Sequence, residues 1–297
     1  YVNLSREAMN TPEVIDFWRA KLAGVEALPV PRPDPQAGLV TRTQRIDKEL
    51  WEGVKRYCRT RGITPAIYCK GLYGLLIDCY FQGQSDFLIT EFSLGRAEAQ
   101  IEDFGCYYRQ QVFVFPRAVM QGEPTLAAFW DHHKHFQRSC KAYAGLLSAQ
   151  AQAQLAPAQN VSFMYNFNGY IQPVKMLYGP EPEDQQGFIP QIEDAVQFYV
   201  KNVVQDMQIN LVYPAGTFAD DRLLDRFMSL TRQLCTGECP NLAALDFVLD
   251  DEAHRLIEWE ARCAARSAGA ATDVLSLFAG RFVPTARASP CVTPPRI

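Results

Sequence analysis

Ser85-Asp-Phe-Leu-Ile-Thr-Glu-Phe-Ser-Leu-Gly-Arg96 leads, through Ile101-Glu-Asp-Phe-Gly-Cys-Tyr-Tyr-Arg109, to Gln110-Gln-Val-Phe-Val-Phe-Pro-Arg117. Phe87 to Phe92 is a short apolar run bounded by turn residues, which predicts a buried strand. Gly95-Arg96 predicts a turn, and a helical or irregular link containing Gly105 follows. Gln111 to Phe115 predicts a second strand, and its Val112, Phe113, Val114 and Phe115 have no polar residue between them. A strand of that kind is covered on both faces.

Helical patterns surround these strands. Thr11-Pro12-Glu13 carries a cap, a proline where its missing N–H costs nothing, and an acid suited to a first turn. Val14, Phe17, Trp18 and Leu22 give that helix an apolar face, and Gly24 can end it. Pro29, Pro31, Pro33 and Pro35 then force an extended backbone, read as a strap over the surface. Val40 to Ile46 predicts a strand, Asp47 caps a helix stopped by Gly62, and Thr64-Pro65 starts another through Phe81. That last helix is apolar almost all round, which places it inside the protein.

Pro124 to Lys141 predicts a helix with Leu126, Phe129 and Trp130 inward. It carries His132-His133-Lys134-His135, read as a solvated polar face, with an i, i+3 metal site from His132 and His135 as the lesser alternative. Ala149 to Gln159 reads as a weak helix or loop. Val161, Phe163, Tyr165 and Phe167 alternate as one face of a strand. Glu181, Glu183, Asp184, Glu193 and Asp194 are interleaved with proline and glycine, which predicts an exposed loop rather than acid–base chemistry. Val196, Phe198 and Val200, then Met207, Ile209, Leu211 and Tyr213, alternate with polar residues across a hairpin. Asp220 or Asp221 is expected to open the helix carrying Leu223, Phe227, Leu230 and Leu234.

Composition sets limits. The chain has 297 residues, 48% hydrophobic and 21% charged, with a formal charge of −4. It can bury a large core, and its charge gives no reason to expect nucleic acid or an anionic membrane as partner. No run approaches the ~18 apolar residues of a membrane span. The nine cysteines are scattered. Only Cys235 and Cys239 lie close, without the second pair a zinc site needs, so reduced cytosolic thiols are expected. Residues 261–297 hold five Arg, one Asp and no Lys or Glu, a linker composition apart from Val274 to Phe278.

The order of these elements resembles the C-terminal lobe of nonribosomal peptide synthetase condensation domains. Ser93, Gly95, Arg96 and Gly105 match the strand ending in Ser-Gly-Arg and the glycine that follows, although Arg109 stands where the family has Asn. Trp18-Arg-Ala-Lys-Leu22 with the proline strap, Thr64-Pro65, the Asn166-Phe-Asn168-Gly169 strand, and the closing hairpin with Gly216-Thr-Phe218 are similar to family segments. The family's His-His-x-x-x-Asp-Gly motif is missing. From His132 the sequence lacks its Asp and Gly and sits on the wrong element. The Arg-Asp-x-Ser motif is absent, and Cys140 to Ala144 replaces the family's His-Gln-Asp-Tyr-Pro-Phe-Glu.

The resemblance implies an α/β fold, a two-layer α+β sandwich like a lobe of chloramphenicol acetyltransferase, with a mixed sheet and helices packed on it. It implies residues 1–260 as the lobe and 261–297 as a linker and the possible start of an adenylation domain. The full domain joins carrier-bound acyl or peptidyl and aminoacyl thioesters. By the same resemblance no cofactor is bound directly, and the phosphopantetheine arms of carrier proteins arrive as substrates. Expected partners are the N-terminal lobe, peptidyl carrier domains and an adjacent adenylation domain, with neither nucleic acid nor membrane. The fragment, lacking the catalytic His, is expected to be inactive alone. Ser93, Gly95, Arg96, Gly105, Asn166 and Asn168 are implied at the tunnel and lobe interface. For Arg96 a salt bridge at the strand end stays open, and for Asn166 and Asn168 so does satisfying the strand edge. A non-catalytic docking module, or a lobe of an epimerising or ester-forming relative, are the alternative functions.

Overall fold

Ile67 to Ile77 is one unbroken run of buried residues, and the fold is built around the helix that carries it. The computed structural model describes residues 9–82, 85–94, 108–117, 125–168, 192–203, 206–237, 239 and 241–269. In chain order the elements are α1 (Pro12–Lys21), β1 (Leu39–Ile46), α2 (Lys48–Arg61), α3 (Pro65–Phe81), β2 (Phe87–Leu94), β3 (Tyr108–Phe115) and α4 (Leu126–Cys140). There follow α5 (Ala149–Leu155), β4 (Ser162–Asn168), β5 (Ala195–Val203), β6 (Asp206–Pro214), α6 (Leu223–Thr236) and α7 (Asp250–Gly269). Helix α7 runs across position 260.

The strands form a six-stranded mixed sheet in the order β1-β6-β5-β4-β2-β3. Strands β2, β4 and β5 run parallel, and the remaining pairs are antiparallel. Side chains alternate across the sheet, and one set of apolar residues packs against α2, α3, α4 and α6. Phe87, Ile89, Phe113, Phe115, Phe163, Tyr165, Phe198, Ile209 and Leu211 belong to this main core. On the opposite face Leu88, Val112 and Val114 meet Val14 and Trp18 of α1, the Leu22 that follows it, and Ala151 of α5 in a second, smaller core. The two-layer sandwich thus gains a third layer at its β2–β3 end. The unbroken apolar stretch of β3 is explained by this double covering.

Helix α3 approaches its neighbours closely because it has glycine where they press hardest. A Cβ on Gly74 would lie 2.3 Å from the Phe115 ring, and one on Gly71 2.5 Å from Trp130. Two phenols tie it to the sheet: Tyr73 Oη donates to the Val196 carbonyl at 3.2 Å, and Tyr165 Oη of β4 to the Ala66 carbonyl at 2.7 Å.

The helix starts follow the sequence. Thr11, Asp47, Thr64, Thr125 and Ser148 each accept an N–H of the first turn, with prolines at the heads of α1 and α3. Gly62 ends α2 with φ of 60°, a conformation glycine adopts at least cost. Helix α6 differs from expectation. Its cap position is Arg222, with no side-chain cap. Asp220 instead accepts from the Arg222 N–H and pairs with Arg226, which also holds Glu252 of α7 at 2.8 Å. The proline strap is extended, but it is not only superficial. Leu28 and Val30 are buried in the main core while Pro29 and Pro31 face out.

Candidate functional site

The polar alternates of the strands gather on the face away from the main core. Register sets them in rows. Thr43 pairs with Asn210, Asn210 with Tyr199, Tyr199 with Asn166, and Asn166 with Phe92. Beside that row run Thr41, Val212, Gln197, Met164 and Thr90, and on the other side Arg45, Gln208, Lys201 and Asn168. Amide side chains alternating with apolar ones predict a solvent-facing row, yet Gln197 is 0% and Asn210 1% exposed, with Gln208 also buried.

These residues hold one another. Thr43 Oγ1 donates to Asn210 Oδ1 at 3.0 Å, Gln208 Nε2 donates to the same oxygen at 2.8 Å, and Tyr199 Oη donates to Gln197 Oε1 at 3.1 Å. Three buried polar atoms on this face have no hydrogen-bond partner: Gln197 Nε2, Asn210 Nδ2 and Asn166 Oδ1. Tyr68 Oη, His133 Nε2 and Gln159 Nε2 are unpartnered elsewhere, but buried polar groups are nearly always paired, so three orphans sharing one sheet face mark a place where something else is met.

Of the residues expected at the tunnel and lobe interface, Asn166 and Asn168 lie on this polar face, half-buried, opposite Tyr199 and Lys201. Ser93 pairs with Arg109 near the end of β2. The carboxyl ends of the parallel strands β2, β4 and β5 therefore bring Ser93, Asn166 and Asn168 to one end of the sheet, the side where open α/β sheets bind ligands. Gly95, Arg96 and Gly105 lie outside the described residues, as do the acidic stretch 179–191 and the segment Val274 to Phe278. The strand reading did not single out Gln197, Tyr199, Gln208 and Asn210. The available signal was their composition: four polar residues, three of them amides, at alternate positions of one hairpin.

The histidine run departs from its expected place. His133 is 1% exposed and sits in the main core among Phe113, Phe115, Phe129 and Trp130, with ring centroids 4.3–6.0 Å away. It continues the stripe of Leu126, Phe129 and Trp130 at helical spacing, which overrides the polarity of its neighbours. Its Nδ1 bonds the Phe129 carbonyl at 2.9 Å. Burial, only partly offset by that bond and reinforced by nearby Lys70, pulls its imidazolium down to about 3. Lys70, 2% exposed, pairs with Glu91 of β2 at 2.7 Å and lies over the Phe113 ring. His132 is half-buried, and among the described residues no group of three His, Cys, Asp or Glu is placed to hold a metal ion.

No protein-family model matches the sequence, and no curated protein matches it. Solved structures do. The X-domain from teicoplanin biosynthesis aligns with a TM-score of 0.61 at 16% identity, over 81% of this chain and 58% of that one. The cyclization-docking bidomain of EpoB from Sorangium cellulosum gives 0.60 at 12%, over 80% and 52%. The nonribosomal peptide synthetase FmoA3 gives 0.61 at 13%, over 81% and 27%. The chain has the fold of nonribosomal peptide synthetase condensation-type domains. It spans between 20% and 58% of the length of such structures. In this condensation-type fold one face of the sheet is sealed by helices, while the other presents amides, a phenol and a lysine. On the sealed face His133 is held neutral and enclosed in aromatic rings. The polar face can bind and orient. No helix among the described residues is long and apolar enough to cross a membrane.

Proposed function

We propose that the chain is one lobe of a condensation-type domain of a nonribosomal peptide synthetase and that its polar sheet face forms one wall of the substrate channel. The likeness to condensation-type domains over four-fifths of the chain carries this reading. The buried amide row supports it, because a face of that polarity is suited to a second layer and to polar substrates. In the reaction an amine nitrogen attacks a carrier-bound thioester carbonyl, the C–N bond forms, the C–S bond breaks, and the thiol leaves with a proton. The proton-handling histidine belongs to the complementary lobe, since His133 is enclosed in the core. This lobe then contributes alignment, which is worth more than proton transfer when both substrates are tethered. The phosphopantetheine arms of carrier domains deliver the substrates, and an adenylation domain adjoins.

The test combines the chain with a lobe carrying His-His-x-x-x-Asp-Gly and two loaded carrier domains, and weighs the carriers by intact mass. An amide product only when both lobes are present is expected. Product from the chain alone would overturn the reading, as would associated lobes that yield none. A second reading, a docking platform without catalysis, is favoured by the solved complex of the X-domain with OxyB, which aligns at 0.60.

A further inference from the structure

Three amide side chains surround one phenol on the polar face. Tyr199 stands opposite Asn210 on β6 and Asn166 on β4, and Gln197 precedes it by two positions on β5. Residues two apart on a strand share a face. The internal hydrogen bonds orient the amides. Asn210 Oδ1 takes the Thr43 hydroxyl and Gln208 Nε2, and Gln197 Oε1 takes the Tyr199 hydroxyl. Gln197 and Asn210 therefore use their oxygens within the network and turn their NH₂ groups elsewhere. Gln197 Nε2 and Asn210 Nδ2 are buried donors without a protein acceptor, and Asn166 Oδ1 is a buried acceptor without a donor.

We propose that this cluster is a recognition site for an amide-bearing chain. A carbonyl oxygen of the chain accepts from Gln197 Nε2 and Asn210 Nδ2, and an N–H of the chain donates to Asn166 Oδ1. The chemical class follows from the count. Two donors suit one oxygen, one acceptor suits one N–H, and an amide supplies both where an ester supplies only the first. Half-buried Asn166, Asn168 and Tyr199 give the cluster its solvent-facing side. The assignment deepens the proposed function and rests on it for the occupant's identity, a peptidyl or aminoacyl chain. The donor geometry is independent of that reading. A site that hydrogen-bonds an N–H rejects the analogue lacking it, because its own buried group is then left unpaired.

The test uses the full 297-residue chain, labelled with ¹⁵N and titrated with N-acetylglycine N-methylamide. Methyl acetoxyacetate, a diester of the same length without N–H, is titrated in parallel. Saturable shifts of the Gln197 and Asn210 side-chain NH₂ resonances are expected with the diamide, with the diester at least about tenfold weaker. Gln197→Glu and Asn210→Asp, which each replace a donor by an oxygen, should weaken the diamide about tenfold or more. Unmoved NH₂ resonances, equal affinity for diester and diamide, or unchanged affinity in both folded variants would overturn the site. If neither variant folds, the wild-type NH₂ shifts and the diester comparison decide. Diamide binding without product in the two-lobe assay would overturn the proposed reaction and leave the site standing. Product without diamide binding would do the reverse.

Discussion

Replacing His133 with leucine should flatten the acid limb of the protein's stability. An ordinary histidine takes a proton near pH 6.5, whereas burial holds His133 at about 3 in the folded chain. Below pH 6.5 the unfolded chain therefore binds a proton that the folded chain refuses, so stability falls as pH falls. The loss grows from about pH 6.5 and levels off near the folded value of about 3. At 1.36 kcal/mol per unit, about two units of this window are crossed by pH 4.5, or roughly 2.7 kcal/mol. That is a large share of a typical ~5–15 kcal/mol. Urea unfolding of wild type and His133→Leu at pH 7.5, 5.5 and 4.5 reads the difference directly, because the other titrating groups are common to both. The side chains closest in charge, Lys70 and half-buried His132, are retained in the variant. Wild type should lose about 2–3 kcal/mol more than the variant between pH 7.5 and 4.5. Parallel stability curves, or an imidazole resonance of His133 that titrates near pH 6, would refute the reasoning.

Other outcomes follow from the packing. Gly74→Ala should destabilise by about 1–3 kcal/mol in urea despite alanine's higher helix propensity, because the added methyl meets the Phe115 ring. Glu91→Ala should cost about 3–5 kcal/mol by leaving the Lys70 ammonium buried and unpaired. The double variant Lys70→Met, Glu91→Leu should recover most of that loss, and equal losses in the single and double variants would argue against the pair. Leu256 and Trp259 of α7 are 45% and 60% exposed. Replacing both with serine should change thermal stability by less than about 1 kcal/mol, while light scattering should report less self-association. Thr64→Ala removes the hydroxyl that accepts the Ile67 N–H and should cost about 1 kcal/mol, read as a lower Tm.

Local chemistry was legible in the sequence because it acts over three or four residues. The caps at Thr11 and Asp47, the Thr64-Pro65 start, the Gly62 stop and the wholly apolar α3 all stand where their side chains placed them. Asp220 shows where that reading runs short. An aspartate before a helix is a cap by habit, but here burial acts against its charge. Hydrogen bonds from Tyr80, the Arg222 N–H and Arg226 outweigh the burial and hold the carboxyl below its usual range. Arg222 and Arg226 are near neighbours in sequence, but Tyr80 of α3 lies 140 residues away, and no short window along the chain contains it. His133 was partly legible. Its polarity argued for solvent, while its spacing from Leu126, Phe129 and Trp130 argued for the core, and spacing decided.

The polar face was hardest to read because period-two alternation determines which side chains share a face but not what that face meets. Val196, Phe198 and Val200 had to lie together, and so did Gln197, Tyr199 and Lys201. Whether the second set meets water or protein depends on elements elsewhere in the chain. Burial of Gln197 and Asn210 resolves that choice against water, and their unpaired nitrogens show that the surrounding protein does not fully replace it. A purely structural interface would gain by substituting apolar residues at these positions, since an apolar pair of similar shape costs less than an orphaned amide. Amides kept at such positions are instead suited to a partner or substrate with complementary groups. The polar row is therefore a stronger guide to function in this chain than the paired histidines, which the aromatic core encloses.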